Sequence, residues 1–256
     1  MLPLTARVIC ARLVRESATF FARELLRPAG VHVYHLSANG VRVAIRHQGA
    51  DAATMAEVFH HRWYDPSAEL SKVIGEPRAI LDLGANIGMF GALAVRRWPT
   101  ARIVAYEPDP QNAAVHERTI AVNDLAQRWS LILAAAGARE GEVRFAAGLG
   151  ASSHVIDGPT DGAADAITVA LRDVLPAISA ADVVKMDIEG GEWEILYDPR
   201  FAANPPRVIV LEYHPLGCPG ADPRAAAERA FDAAGLRTAP IWHGADGVGM
   251  VWAWRP

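Results

Sequence analysis

From Pro77 onward, short runs rich in aliphatic and β-branched residues alternate with stretches suited to helices, and this rhythm leaves few architectures open. The runs are "AILDLG", "RIVAYEP", "SLILAAAG", "DVVKMDI" and "RVIVLEY", separated by segments such as "MFGALAVRRW", "PQNAAVHERTIAVND" and "EWEILYDP". Strands that alternate with helices predict a mainly parallel sheet covered on both faces, each crossover right-handed. After a last helical stretch, "DPRAAAERAFDAAG", the chain ends in "RTAPIWHG" and "GMVWAWRP", which read as an antiparallel pair. The fold class is therefore α/β with a Rossmann-like sheet.

Residues 1–76 have a different character and are expected to form a helical and hairpin cap on a domain spanning 77–256. "LTARVICARLVRESATFFARELL" reads as an amphipathic helix ending before Pro28. Arg7, Arg12, Arg15 and Glu16 interrupt it too often for a membrane span, so its apolar face is expected on its own protein or on a partner subunit, which suggests a homodimer. "VHVYHLSANGVRVAIR" is two alternating runs around Asn39-Gly40, predicting a hairpin with a type I′ turn.

Composition excludes several partners. With 256 residues, 51% hydrophobic and 21% charged, the chain can bury the core of one large α/β domain. A net charge of −4 gives no basic footprint for a nucleic-acid backbone. Two cysteines, Cys10 and Cys218, without a CxxC or zinc-like spacing, fit a reducing cytoplasm.

"AILDLGANIGMFGALAV" reads as a strand, a tight turn and a helix start, with Gly84 letting the chain leave the strand and Gly88 permitting close approach of backbone to ligand. Alone, this turn is equally a βα corner, since Asn86 replaces the middle glycine of a GxGxxG pattern and Gly91 suits helix packing. Glu107 closes the next strand roughly 20 residues on, the interval at which a carboxylate meets ribose hydroxyls. With Asp82 in the first strand, the crevice is acidic and suits an ammonium or sulfonium better than a pyrophosphate.

"LDLGANIGMF", "VAYEPDP" with "AVND", "VVKMDIEGGEWEIL" and "VIVLEYHP", in this order and at these spacings, resemble the FkbM-type methyltransferases, from about Pro77 to about Pro215. The resemblance implies a seven-stranded S-adenosylmethionine-binding sheet with helices on both faces. It implies that Asp82, Gly84, Asn86 and Gly88 hold the methionine end and Glu107 the ribose. It also implies methyl transfer, commonly to a hydroxyl of a sugar, polyketide or other secondary metabolite. "VALRDVL" departs from the family's usual acidic segment at that place, with only Asp173 corresponding.

The fourth run carries charges at alternate positions, Lys185, Asp187 and Glu189, which would share one face of a strand. Buried and unpaired, any of them would cost several kcal/mol. Either the cluster braces the strand ends, with Glu192 in a helix's first turn for dipole reasons, or it faces the transferable methyl group, where Asp187 would border cofactor and acceptor alike. Glu212 and His214 close the fifth run at the same level. Alkylating an alcohol requires its proton to be removed as the bond forms. His214, Asp187 or Glu189 could take it, or Asp187, Glu189, Glu212 and His214 could hold a divalent cation such as Mg²⁺. Ser152, Ser153 and His154, in a loop of small residues, are candidates to bind a small-molecule acceptor together with Glu212; His60 and His61 lie where they could edge its pocket. Transfer to nitrogen, a nicotinamide-dependent oxidoreductase in the same crevice, and a non-catalytic binding module are the competing readings.

Overall fold

The computed structural model describes residues 2–147 and 166–256. In the N-terminal part, α1 (Leu4–Arg12) and α2 (Ser17–Leu26) are followed by the hairpin β1 (Val31–His35) and β2 (Arg42–Arg46), then α3 (Asp51–Phe59) and α4 (Ala68–Ile74). The stretch expected as one helix is two. Between them, Val14 forms a β-bridge with Leu36, and the Glu16 carboxylate accepts hydrogen bonds from the His35 backbone and ring, so the hairpin claims the residues a continuous helix would need.

The hairpin forms in antiparallel register, but around a longer loop than the two-residue turn expected. Leu36 N–H donates to the Val41 carbonyl at 2.8 Å, which leaves four residues in the loop, and of Asn39 and Gly40 only Gly40 has a positive φ. Asn39 is used through its side chain instead: Oδ1 accepts from Val41 N–H, and Nδ2 donates to the Ala92 carbonyl, tying the hairpin to a helix of the main domain.

That domain runs β3 (Ala79–Leu83), α5 (Met89–Arg97), β4 (Arg102–Tyr106), α6 (Pro110–Val122), β5 (Trp129–Ile132), β6 (Ala135–Gly137), β7 (Gly141–Ala146) and β8 (Ala166–Asp173). It continues with α7 (Leu175–Ala180), β9 (Val183–Met186), α8 (Glu192–Leu196), α9 (Pro199–Ala203), β10 (Val208–Tyr213), α10 (Pro223–Ala233), β11 (Arg237–His243) and β12 (Gly249–Trp254). Seven strands form one sheet in the order β11-β12-β10-β9-β3-β4-β5, parallel from β10 to β5, with β12 antiparallel to both its neighbours. The run "SLILAAAG" splits after Ile132: β5 stays at the sheet edge, while β6 joins β8 and β7 in a separate three-stranded sheet.

The central strands are apolar throughout because both faces are covered. Ile80, Val183, Val208 and Val210 pack on one side with α3, α5 and the N-terminal elements, while the intervening Leu81, Val184, Ile209 and Leu211 pack on the other with α7, α8 and α10. Cys10, Phe20, Tyr34 and Met55 belong to the first of these cores, so the N-terminal elements share their interior with the sheet. Trp252 and Trp254 are buried there as well.

Candidate active site

The same alternation that sorts the apolar residues fixes the charged ones. Asp82 follows Ile80, Lys185 follows Val183, and Glu212 follows Val210, so all three stand on the side facing α3, near the carboxyl ends of adjacent strands. Asp82 and Lys185 are register partners across β3 and β9. Here the sheet opens into a cleft of about 1030 Å³, counting its mouth, the position at which a doubly wound sheet binds its ligands.

One end of the cleft is the turn after β3. Gly84 has φ +75° and Gly88 φ +85°, and a Cβ on Gly84 would stand 1.7 Å from the Asp187 carbonyl oxygen. One on Gly88 would be 2.5 Å from the buried His116 ring. The two glycines are thus required from inside the protein, by the close passage of β9's end and of α6. Gly91 is the packing glycine of the helix, where a Cβ would strike Trp129.

Asn86, itself at φ +48°, donates its backbone N–H to Glu107 Oε2 at 2.8 Å, and the Asp109 N–H donates to Oε1 at 2.9 Å. Asn112 Nδ2 reaches the same Oε1 at 3.4 Å. Burial pushes the Glu107 carboxyl up to about 7, against the pull of these donors. Two oxygens held by two backbone N–H groups have lone pairs left for a diol.

Lys185 is the fastener between this turn and the next strand. Its Nζ donates to the Gly84 carbonyl at 2.6 Å and pairs with Asp187 at 3.4 Å and Asp82 at 3.6 Å. Burial opposes the Lys185 charge, but Asp187, Asp82 and Glu212 outweigh it and hold its ammonium above the usual range. Asp82 is fully buried, and neither of its oxygens receives a hydrogen bond. Burial raises its carboxyl to about 6 despite Lys185.

The other end of the cleft brings Asp187, Glu189, Glu212 and His214 together. β9 stops at Met186, so Asp187 lies just beyond the strand, and Glu189 is aimed by the turn rather than by strand alternation: Glu189 at φ +54° and Gly190 at φ +102° reverse the chain. His214 Nε2 lies 3.5 Å from Glu189 Oε2. Ligand atoms of Asp187, Glu212 and His214 lie within 4.8 Å of one another. Burial lowers the His214 imidazole, but its hydrogen bond to Glu192 and the charges of Glu192, Asp187 and Glu189 prevail and push it up to about 9. Glu189 is raised to about 7 by burial and by Asp187, and Glu212 is pushed well above the carboxylate range by the same two causes.

Two participants were not legible beforehand. Glu192 is completely buried: it accepts from His214 Nδ1 and N–H and, through its other oxygen, from Gly190 N–H. Glu57, on α3, lines the same cleft as Asp187 and Glu212, as do Thr54, Val58 and Tyr64. Its spacing with Thr54 and Val58 on one helical face was the available signal. His60 and His61 are exposed, and His61 stacks on Trp63. Glu194 is exposed, and Ser152, Ser153 and His154 lie outside the described residues.

The donors fit both groups the site is expected to hold. An acidic crevice with a diol-ready carboxylate and a buried, hydrogen-bond-free Asp82 suits S-adenosylmethionine. Two carboxylates and an imidazole, whose Nδ1 is already engaged, are donors of the kind that would hold a divalent cation of the Mg²⁺ to Mn²⁺ type. Among the described residues no helix is long and apolar enough to cross a membrane.

Comparison with known proteins agrees with this reading of the crevice. Residues 82–231 match the methyltransferase FkbM domain. The methyltransferase sdnD of Sordaria araneosa is 38% identical over 68 residues, covering 27% of this chain and 24% of that protein, so the match spans about a quarter of its length. Among solved structures, an O-methyltransferase family protein from Burkholderia thailandensis is similar over 82% of this chain and 58% of its own, at 12% identity and a TM-score of 0.47. The precorrin-6y C5,15-methyltransferase of Geobacter metallireducens GS-15 is similar over 73% and 87%, at 16% identity and a TM-score of 0.41. Both are too distant to carry an argument about chemistry. The family match covers more than half of the chain and every strand end that builds the crevice, and the chain belongs to the FkbM methyltransferase domain family.

Proposed function

We propose that the protein transfers the methyl group of S-adenosylmethionine to a hydroxyl oxygen of a small molecule. The observation that carries this reading is the convergence of Asp187, Glu212 and His214 within 4.8 Å, beside the turn that Lys185 fastens at Gly84. A cluster of carboxylates around an imidazole is what removing an alcohol proton requires, whereas an amine needs little such help.

The cofactor, when bound, supplies an electrophilic methyl on a sulfonium. Glu107 holds the ribose, and Asp82, Gly84, Asn86 and Gly88 surround the methionine end. Lys185 keeps the turn and Asp187 in fixed relation, so that the acceptor is held in line. With Glu192 behind it, His214 stays protonated at neutral pH and orients the carboxylates; Glu189, near 7, is the group poised to take the acceptor proton. A divalent cation on Asp187, Glu212 and His214 would replace the His214 proton and acidify a hydroxyl bound to it.

The test is incubation with methyl-labelled S-adenosylmethionine and pooled hydroxylated metabolites, with release of adenosylhomocysteine and label in an ether linkage as readouts. The reading expects both, and expects Asp187→Asn and Glu189→Gln to abolish them while cofactor binding survives. Label recovered only on nitrogen would move the assignment to amine acceptors.

A further inference from the structure

We infer that the acceptor is a hydroxylated small molecule bearing a basic nitrogen, such as an amino sugar or amino alcohol, and that Glu57 is the residue that selects it. The inference rests on the methyl-transfer reading above and goes beyond it by naming the acceptor's second functional group. Glu57 lies on α3, outside residues 82–231 that match the family model.

Among the described residues the cation that lines the cleft, Lys185, is engaged by Gly84, Asp82 and Asp187, and His214 nearby is engaged by Glu192 and Glu189. Among the described residues the Glu57 carboxylate has neither a hydrogen bond nor an ion pair, although it lines a cleft whose adjoining wall is apolar, formed by Val58, Tyr64 and Phe90. Half-buried and beside Asp187, the Glu57 carboxyl is raised by burial and by that charge, and a ligand cation seated against it would hold it ionised. A metal ion on Asp187, Glu212 and His214 would not do so, since Glu57 is outside that group. The cofactor's own cations belong at the Asp82 and Gly84 end. A neutral hydroxyl would give Glu57 a hydrogen bond but no charge, whereas an ammonium gives both. The apolar wall beside it suits the carbon face of a ring.

The experiment uses glucosamine and glucose as matched probes, titrated by calorimetry into the full-length protein saturated with adenosylhomocysteine, in the wild type and in Glu57→Gln. We expect glucosamine to bind at least tenfold tighter than glucose, and that ratio to fall to near one in Glu57→Gln, whose unchanged affinity for adenosylhomocysteine reports that it is folded. If adenosylhomocysteine binds but glucosamine gains nothing over glucose in the wild type, or keeps its advantage in Glu57→Gln, the inference is overturned and the cofactor reading stands. Failure of the wild type to bind adenosylhomocysteine overturns both.

Discussion

Glu192 accepts hydrogen bonds from both the backbone N–H and the ring Nδ1 of His214, at 2.8 and 2.9 Å, while its second oxygen takes the N–H of Gly190. One buried carboxylate thus joins the end of β10 to the turn that carries Asp187 and Glu189. The ring of His214 is held at Nδ1 by Glu192, and its Nε2 lies 3.5 Å from Glu189 Oε2.

Replacing Glu192 by Gln tests this clamp. The amide has one acceptor oxygen, so either Gly190 or His214 loses its partner, at a cost of about 1–3 kcal/mol. We expect methyl transfer to fall roughly 10- to 100-fold, as for loss of an orienting group behind a ligating histidine. Affinity for adenosylhomocysteine should hold within about threefold. ¹⁵N chemical shifts of the His214 ring, measured in the same variant, should report loss of the fixed Nδ1–H form, which a purely structural defect elsewhere would leave in place.

The Lys185 network makes a second prediction. Lys185→Met leaves Asp82 as a fully buried carboxylate with no cation, and should cost about 3–5 kcal/mol in urea unfolding. Adding Asp82→Asn removes the stranded charge, so the double variant should recover more than half of that loss. Additive losses would show that the pair is not an energetic unit.

Two glycines of similar φ separate backbone strain from collision. Gly84→Ala places a methyl 1.7 Å from a carbonyl oxygen and should cost at least ~3 kcal/mol, whereas Gly235, at φ +68° with nothing within 4 Å, should lose only about 1 kcal/mol on the same change. Equal losses in thermal unfolding would remove the case for close packing of β9's end on the turn.

The carboxyls of Asp82, Glu57 and Glu107 lie above their ordinary values in the folded protein, at about 6, 7 and 7. The native state therefore holds more protons than the unfolded chain from about pH 4 to about pH 7, and stability falls as pH rises through that window. His214, raised to about 9, stabilises the fold below its unfolded value and loses that contribution as pH climbs toward 9, in the same direction. Metal-free protein should be less stable at about pH 8 than at about pH 5, by ~2 kcal/mol or more in urea titrations. A flat or rising profile would contradict the burial of these groups.

The sheet was readable because its strands have apolar middles with charges toward their ends, and those at the carboxyl ends, Asp82, Glu107, Lys185 and Glu212, marked the crevice. What escaped reading was decided by tertiary contacts. Nothing local separates β5 from β6 in "SLILAAAG", where an exposed Leu133 and small alanines hide the break. The N-terminal helix divides because Val14 finds Leu36 in the hairpin. Glu192 reads as an ordinary first-turn acid, and only its complete burial against His214 distinguishes it. Glu57 sits in an amphipathic helix whose other face carries Ala52 and Met55 into the core; its spacing with Thr54 and Val58 defines a face, but nothing in that pattern says which cleft the face meets.

The central claim is that this crevice holds S-adenosylmethionine by way of Glu107, and calorimetric titration with adenosylhomocysteine tests it most directly, on the wild type and on Glu107→Ala, with NAD as the control ligand. The account predicts one-site binding to the wild type, weakened at least about tenfold in Glu107→Ala as a charge-assisted contact to the ribose is lost, and no binding of NAD. NAD binding without adenosylhomocysteine binding, or adenosylhomocysteine binding indifferent to Glu107, would contradict it.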